Sequence, residues 1–523
     1  MAASSLPILR RIAASPGRAF AGLLVLHAAV WTALPALLYP NLPLDLIEAL
    51  IYGREWQLGY DKLPPLPWWL VEIVYRLIGH DVGYYLLAQL AVVAGFAAVW
   101  AMARPLTGVL GALVAVLVLD GLHYVNYTAA KFNHDVIQLP FWALAGYAFQ
   151  RALRGGEIRH WLLLGLAVGL SLWAKYFIVV LALPLALFVF IDRDARKALA
   201  TPGPYVAVAV ALIAMAPHLV WLVQNDFLPF AYAEHRALPS RGLIDHVWHP
   251  LQFALSQLAF LIPALLIAAP LFLPRRGASE PPVPAQADAF DLRIVTLLAF
   301  GPLATVLALS ALTGRGTVAM WGYPLWLFLG VWLVLIARRA LDGNRLGRVL
   351  LTWAIVFTAL VLAFIGNYAV LPRYDHRYRA VFFPGSELGR ELSQRYRTIT
   401  GAPIVYVIGS MWDGGNVAHY AASHPRVLID GSAARAPWIY LADLKARGAL
   451  VVWTDGDPQV MPVEFRTIAA DAALQPPLLL HDRRGDSSLQ VGWAILQPKP
   501  SFARSYLRMI FSENRFPLFG IMR

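Results

Sequence analysis

The stretch LPLDLIEALIYGREWQLGYDKLPPLPWW, residues 42 to 69, follows an apolar run of membrane-spanning length and carries several charged side chains. Two shorter stretches share this combination: KFNHDVIQLP at 131 to 140 and LWAKYF at 172 to 177. Ionised groups at bilayer depth are costly, so they usually mark a functional site. These three stretches are therefore the first candidates for the site of this protein.

The composition indicates a polytopic membrane protein. Of 523 residues, 59% are hydrophobic and 14% are charged, and the chain has 18 Trp and 21 Tyr, which favour the membrane interface. The net charge of +12 would suggest nucleic acid in a soluble protein. Here most of the basic excess lies in short loops between apolar runs, which sets topology, so no nucleic-acid partner is expected. The absence of Cys excludes disulfides, thiolate metal sites and a Cys nucleophile.

The apolar runs predict about eleven transmembrane helices, because roughly 20 residues of helix cross the hydrocarbon core. The first is expected to be a retained span and the fifth and sixth are short. The predicted spans are 20–39, 82–103, 106–127, 134–150, 160–174, 176–191, 204–224, 251–273, 293–312, 320–337 and 349–371.

Basic residues in the loops predict the orientation. With the N-terminus in the cytoplasm, nearly every inner loop is basic, as the positive-inside rule requires. Examples are Arg10, Arg11 and Arg18 before the first span and Arg193, Arg196 and Lys197 after the sixth. We therefore expect a transmembrane domain at 1–372 and an outer domain at 373–523, which lies in the periplasm if the cell is Gram-negative.

The periplasmic region has the pattern of a small α/β domain. Strands are predicted at 402–409, 426–430, 449–455 and 489–496, with helical patterns between them, which favours a largely parallel sheet. The loop GSMWDGGNV at 409–417 sits where such sheets often bind ligands. A glycine-rich structural turn is the favoured interpretation of that loop.

The first outer loop is predicted to contain two amphipathic helices, at 44–58 and 67–79. Asp45 and Glu48 are three residues apart, so both carboxyl groups can share one face of the first helix. Between the helices lies the proline-stiffened turn GYDKLPPLP at 59–67, which carries Lys62.

Further polar residues are predicted on the same side of the membrane. The second outer loop brings Lys131, Asn133, His134 and Asp135 to the start of the fourth span, where Asp135 has helix capping as an alternative role. Lys175 lies about fifteen residues beyond a basic inner loop, roughly 22 Å up its span. Arg315 lies in an outer turn. For both cations, a snorkelling anchor is the alternative.

Carboxylates and cations that converge at the outer leaflet suit a lipid-linked phosphosugar. A carboxylate can take the proton from the attacking group, while fixed cations stabilise the leaving phosphate. An anion also favours the oxocarbenium character that develops at the sugar carbon.

These motifs together resemble the polyprenyl-phosphate-sugar-dependent glycosyltransferases of the GT-C fold. The similarity rests on the first-loop carboxylates, FNHD at 132–135, GLAVGLSLWAKYF at 165–177 and the outer C-terminal domain, and it covers essentially the whole chain. It is strongest with bacterial family 39, relatives of the dolichyl-phosphate-mannose protein mannosyltransferases and the lipid A aminoarabinose transferase. The resemblance implies an inverting transfer at the outer face to a lipid, glycan or protein acceptor.

The resemblance also implies residue roles. Asp45 matches the catalytic base or acceptor-orienting acid and Asp135 the second acid, while Lys62 and Lys175 match positions that hold the donor phosphate, where we also place Arg315. Relatives often have adjacent Asp and Glu, so the spacing here leaves open whether Asp45 or Glu48 is the base, and Asp45 is favoured. The remaining predicted pocket residues are Asn133, His134 and Tyr60.

Three alternatives stay open at this level. His246 and His249 have permissible spacing for a divalent metal, although interfacial histidines are favoured and the resemblance requires no cofactor. A transporter or flippase could use the same charges, but the chain lacks the repeated halves typical of that class. A receptor with an outer ligand-binding domain would leave the charged first loop unexplained.

Overall fold

The computed structural model describes residues 7–273, 287–375, 377–481 and 488–499. The chain divides into two compact units, Met1–Arg377 and Tyr378–Arg523, whereas the sequence places the boundary at 372/373. The helices of the first unit are α1 (Pro7–Ala14), α2 (Pro16–Leu38), α3 (Leu44–Gly53), α4 (Leu66–Ile78), α5 (Val82–Leu119), α6 (His134–Gly155), α7 (Ile158–Ala174), α8 (Val179–Ile191), α9 (Gly203–Gln224), α10 (Leu228–Arg236), α11 (Asp245–Ala268), α12 (Ala289–Thr313), α13 (Leu329–Ala337) and α14 (Gly343–Ile365).

The first unit is a multi-pass membrane domain. Among the described residues, six helices are long and apolar enough to cross a membrane, namely α2, α5, α9, α11, α12 and α14. The apolar helices α7 and α8 are shorter, as the sequence predicts for its fifth and sixth spans. The predicted number of about eleven spans stays a prediction.

The predicted third span, 106–127, is wrong in its extent. Helix α5 runs through a break at Gly108 (φ 73°) and ends at Leu119. The next residue, Asp120, is buried, and its carboxylate lies 2.6 Å from Nδ1 of His27 and accepts a hydrogen bond from the indole of Trp353 at 2.7 Å. These bonds tie Asp120 to α2 and α14. The helix ends one residue earlier, at Leu119, and the second outer loop follows.

The predicted tenth span, 320–337, is also too long, because α13 begins at Leu329. Before it, the hydroxyl of Tyr124 and the side-chain amide of Gln257 donate hydrogen bonds to the carbonyl of Ala319, at 2.7 and 3.0 Å. These bonds to a backbone oxygen favour a turn rather than a continuous helix. The turn, residues 315–321, becomes part of a cavity wall.

The two predicted helices of the first outer loop are present as α3 and α4, but α3 ends at Gly53, short of the predicted end at 58. The ring of Tyr52 stacks on Trp68 at 4.3 Å, and a Cβ at Gly53 would lie 2.2 Å from the carbonyl oxygen of Trp68, so a glycine is needed at this crossing. Tyr60, predicted to line the pocket, is instead buried and donates its hydroxyl hydrogen to the carbonyl of Tyr52 at 2.6 Å. A buried tyrosine needs such a partner. Tyr60 therefore stabilises the first outer loop and does not line the cavity.

Close packing of α7 on α9 sets the position of Lys175. A Cβ at Gly165 would lie 2.3 Å from the carbonyl oxygen of Ala207, the small-residue contact that lets membrane helices approach closely. Helix α7 ends at Ala174, and Lys175 is extended. On α9, His218 donates from Nδ1 to the carbonyl of Leu58 at 2.5 Å and accepts from the hydroxyl of Tyr176 at 2.6 Å. Helix α9 thus links the first outer loop to the end of α7.

The second unit is an α/β domain with one mixed sheet. Its elements are α15 (Gly385–Thr400), β1 (Tyr406–Gly409), α16 (Asp413–Tyr420), β2 (Arg426–Ile429), α17 (Leu441–Arg447), β3 (Ala449–Trp453), α18 (Val463–Ala469), β4 (Ala473–Leu474), β5 (Leu478–His481) and β6 (Ser488–Leu496). The strand order is β2-β1-β3-β6-β4, with β5 paired to β6.

The sheet is less parallel than the sequence predicts. Strands β2, β1 and β3 are parallel, but β6 runs antiparallel to β3, β4 and β5. In the glycine-rich loop after β1, the carboxylate of Asp413 accepts hydrogen bonds from Ser410 at 2.9 Å and Thr454 at 2.8 Å. These bonds give the loop a structural role at the start of α16. Residues 500–523 of the predicted domain lie outside the described residues.

Candidate active site

A cavity of about 590 Å³ in the first unit collects most of the predicted site residues. Its charged wall comes from α3, the second outer loop, the end of α7 and the turn at 315–321, and its apolar wall includes Phe177, Val306 and Trp321. The predicted residues that line it are Asp45, Glu48, Asn133, His134, Asp135, Lys175 and Arg315. Lys62 and Tyr60 are not part of this wall.

Asp45 is the more accessible of the two first-loop carboxylates, with 35% of its side chain exposed. Its Oδ2 lies 3.0 Å from Nζ of Lys131 and accepts a hydrogen bond from the amide of Asn133 at 2.9 Å. Desolvation alone would raise the pKa of Asp45, but the Lys131 charge and the Asn133 hydrogen bond outweigh it and lower the pKa. Asp45 is therefore ionised at neutral pH.

Glu48 has a different environment from Asp45. Burial raises the pKa of Glu48, and the nearby Asp45 and Asp61 raise it further, against the opposing effect of Lys62. Nζ of Lys62 lies 2.9 Å from Oε2 of Glu48 and 5.6 Å from the centre of the Tyr232 ring. Lys62 is therefore paired with Glu48, which lines the cavity. Lys62 does not line the cavity itself, as a phosphate-binding residue would.

Asp135 and Lys175 form a largely buried ion pair in the cavity wall. Nζ of Lys175 lies 2.6 Å from Oδ1 of Asp135, and their side chains are 13% and 15% exposed. Gln138 donates a second hydrogen bond to the same oxygen at 3.0 Å. Capping of α6 falls to Asn133, whose side-chain oxygen accepts from the backbone N–H groups of Asp135 and Val136. The carboxylate of Asp135 is thus directed to Lys175 and does not cap the helix.

His134 joins the two outer loops. Its Nε2 lies 3.2 Å from the carbonyl oxygen of Pro64, which can accept but not donate, so Nε2 carries the proton. Its buried ring packs edge-on against Trp68 with centroids 4.8 Å apart. These contacts hold the second loop, and with it Asn133, against the first.

Arg315 lies at the rim of the cavity, where its guanidinium contacts Oε1 of Glu234 at 2.8 Å. This pair is exposed, 39% and 66% for the two side chains, so it is weak and can yield to a ligand. Nearby, His246 and His249 donate from Nδ1 to the carbonyls of Ala311 and Gly314. Within the described residues no group of three or more potential metal ligands occurs.

Lys131 belongs to the charged second outer loop predicted from the sequence, which gives it no individual role, although it contacts Asp45 directly. Its place in a charged outer loop beside Asn133 was an available signal. Tyr232 of α10 and Trp321 also line the cavity, and no sequence pattern connects them to residues so distant in the chain.

Comparisons with known proteins show that this chain is similar to sugar transferases. Residues 62–221 match the family described as dolichyl-phosphate-mannose-protein mannosyltransferase. The lipopolysaccharide core galacturonosyltransferase RgtA of Rhizobium johnstonii is 26% identical over 494 residues, 88% of this chain and 93% of that protein. The lipid A galacturonosyltransferase RgtD of the same organism is 24% identical over 341 residues, 63% of this chain and 69% of that protein.

The fold has a solved counterpart. ArnT from Cupriavidus metallidurans, bound to undecaprenyl phosphate, superposes with a TM-score of 0.59 at 14% identity, over 92% of this chain and 99% of that chain. This chain is a membrane glycosyltransferase of the GT-C fold. The resemblance drawn from the sequence is confirmed, and the findings favour an enzyme over the transporter alternative. The part of this chain that matches the mannosyltransferase family, residues 62–221, includes Asp135 and Lys175 but not Asp45.

Proposed function

We propose that this glycosyltransferase moves a sugar from a polyprenyl-phosphate donor to an envelope glycolipid at the outer face of the bacterial inner membrane. The observation that carries the proposal is the meeting of an ionised carboxylate, Asp45, with the cations Lys175 and Arg315 around one cavity. The undecaprenyl phosphate bound to ArnT supports the donor class. The lipopolysaccharide and lipid A named for RgtA and RgtD support a glycolipid acceptor.

In the proposed reaction Asp45 is the general base. Its carboxylate takes the proton from the acceptor hydroxyl as the hydroxyl oxygen forms a bond to C1 of the sugar. The bond between C1 and the phosphate oxygen breaks, and its electron pair leaves with the phosphate. Attack on the face opposite the leaving group inverts the configuration at C1.

Cations at the other side of the cavity stabilise the departing phosphate. Lys175 is held in place by Asp135 at 2.6 Å, so its charge is already positioned when negative charge develops. Arg315 can exchange its exposed Glu234 contact for the phosphate. Glu48 and Lys62 form a neutralising pair behind Asp45, which leaves Asp45 as the carboxylate available to the acceptor.

Basic loops support the proposed sidedness. Lys175, which lines the cavity, lies shortly before the start of α8. The basic residues Arg193, Arg196 and Lys197 follow the other end of the same helix. By the positive-inside rule that basic end is cytoplasmic, which supports a cavity that opens to the periplasmic side of the membrane.

The test is a transfer assay with the purified full-length protein in lipid. Several polyprenyl-phosphate sugars and the corresponding nucleotide sugars are offered with an envelope glycolipid, and the product is measured by mass spectrometry. We expect transfer from at least one lipid-phosphate donor, inverted at C1, and none from the nucleotide sugars. Transfer from nucleotide sugars alone would contradict the proposal.

A further inference from the structure

Lys131 is in direct contact with the proposed base. Its Nζ lies 3.0 Å from Oδ2 of Asp45, and its side chain is 34% exposed and lines the cavity. An ammonium group has three donors, so one bond to Asp45 leaves capacity for a ligand. Lys131 is thus placed to contact whatever lies beside Asp45 during the reaction.

The geometry of an inverting reaction indicates on which side of the transferred sugar Lys131 lies. In an inverting displacement the base and the leaving phosphate lie on opposite faces of the sugar. A lysine bonded to the base is therefore on the acceptor side, away from the phosphate held by Lys175 and Arg315. Its ligand belongs to the sugar or to the acceptor.

We infer, on the basis of the proposed function, that Lys131 is a specificity residue that binds an acidic group of the substrate beside the attacking hydroxyl. The group is a carboxylate of a uronic sugar or an acid group of the acceptor. When this group draws the ammonium away from Asp45, the carboxylate is freed to accept the hydroxyl proton. An acid-bearing substrate thereby releases the base that acts on it.

Three observations support this assignment. Asp45 raises the pKa of Lys131, so the lysine is charged at neutral pH. The other cavity lysine, Lys175, is 13% exposed and fixed by Asp135, so Lys131 is the more accessible of the two. Both relatives from Rhizobium johnstonii are named as transferases of galacturonate, a sugar that carries a carboxylate.

Substrate pairs that differ in one acid group test the inference. The wild type and Lys131→Met are assayed with uronosyl and neutral hexosyl polyprenyl phosphates, and with acceptors that carry or lack an acid group beside the accepting hydroxyl. We expect Lys131→Met to lower kcat/KM about 10- to 100-fold for the acid-bearing partner, the size of a lost charge-assisted hydrogen bond. The matched neutral partner reports the effect of Lys131 on Asp45 alone, so its loss is expected to be smaller by at least about 10-fold.

Two control variants complete the design. Lys131→Arg keeps the charge and should retain the preference for the acidic partner, and Lys197→Met removes a lysine that is exposed and does not line the cavity. If Lys131→Met loses the preference for acidic donors, the acid group belongs to the sugar. If it loses the preference for acidic acceptors, the acid group belongs to the acceptor. Equal losses of kcat/KM for acidic and neutral partners in Lys131→Met would overturn the inference about Lys131. The proposed function would still stand, because the wild type transfers sugar from a lipid-phosphate donor. A wild type inactive with every lipid-phosphate donor would overturn the proposed function instead.

Discussion

Asp45→Asn is expected to lower kcat for sugar transfer about 10²- to 10⁴-fold, the usual contribution of a general base. The amide has nearly the size of the carboxylate and its oxygen can still accept the hydrogen bond from Asn133. It cannot take the proton of the acceptor hydroxyl. Initial rates with purified protein should therefore fall while the donor KM changes little, and the variant should elute as a folded protein in size-exclusion chromatography.

The pH dependence gives an independent test of the same residue. Desolvation raises the pKa of Asp45, but Lys131 and Asn133 lower it by more, so the wild type keeps an ionised base down to acidic pH. Asn133→Ser retains a side chain that caps α6 well but loses the amide donor to Asp45. The pKa of Asp45 should rise, and the acid limb of the rate profile should move to higher pH.

Full transfer by Asp45→Asn would remove this residue from the mechanism.

Lys175→Met is expected to lower kcat/KM for the donor about 10²- to 10³-fold, because a fixed charge at the leaving phosphate is lost. It should also destabilise the protein. Asp135 would remain as a buried carboxylate without its cation, which costs about 3–5 kcal/mol in comparable buried pairs. Kinetics over a range of donor concentrations and thermal unfolding in detergent measure the two effects separately.

The double variant Lys175→Met with Asp135→Asn separates the catalytic from the structural role. Removal of the unpaired carboxylate should restore much of the lost thermal stability, because the buried charge is gone. The donor kcat/KM should stay low. A double variant that regains wild-type transfer would mean that Lys175 acts on Asp135 alone and not on the donor phosphate.

Local patterns were sufficient to predict the parts of the site that lie close together in the chain. The helical spacing around Asp45 and Glu48 correctly placed both carboxylates on one face, which is the face of α3 that meets the cavity. The break after Ala174 was likewise visible as two short apolar runs that meet at Lys175. Each of these features depends on residues within a few turns of helix.

Long-range contacts decided what the sequence could not predict. Just beyond the end of α5, Asp120 pairs with His27, which is far from it in the chain. The partner of Asp45 proved to be Lys131, also from a distant loop. Tyr60 has the polar tip expected of a pocket residue, but the crossing of α3 and α4 buries it. Such outcomes follow from packing between segments, which periodicity does not report.

The mixed sheet of the second unit has a similar explanation. Hydrophobic runs located β1, β2, β3 and β6, and the helices between the first three strands correctly indicated parallel pairing. A parallel pair needs a crossover of a dozen or more residues. Too few residues separate β5 from β6 for a crossover, so these strands pair antiparallel.

A structure of the full-length protein in lipid with polyprenyl phosphate bound would show directly whether Lys175 holds the donor phosphate. We expect phosphate oxygens within hydrogen-bond distance of Nζ of Lys175 and on the side of the cavity away from Asp45. A phosphate bound outside this cavity, with Lys175 still paired to Asp135 and out of its reach, would contradict the account.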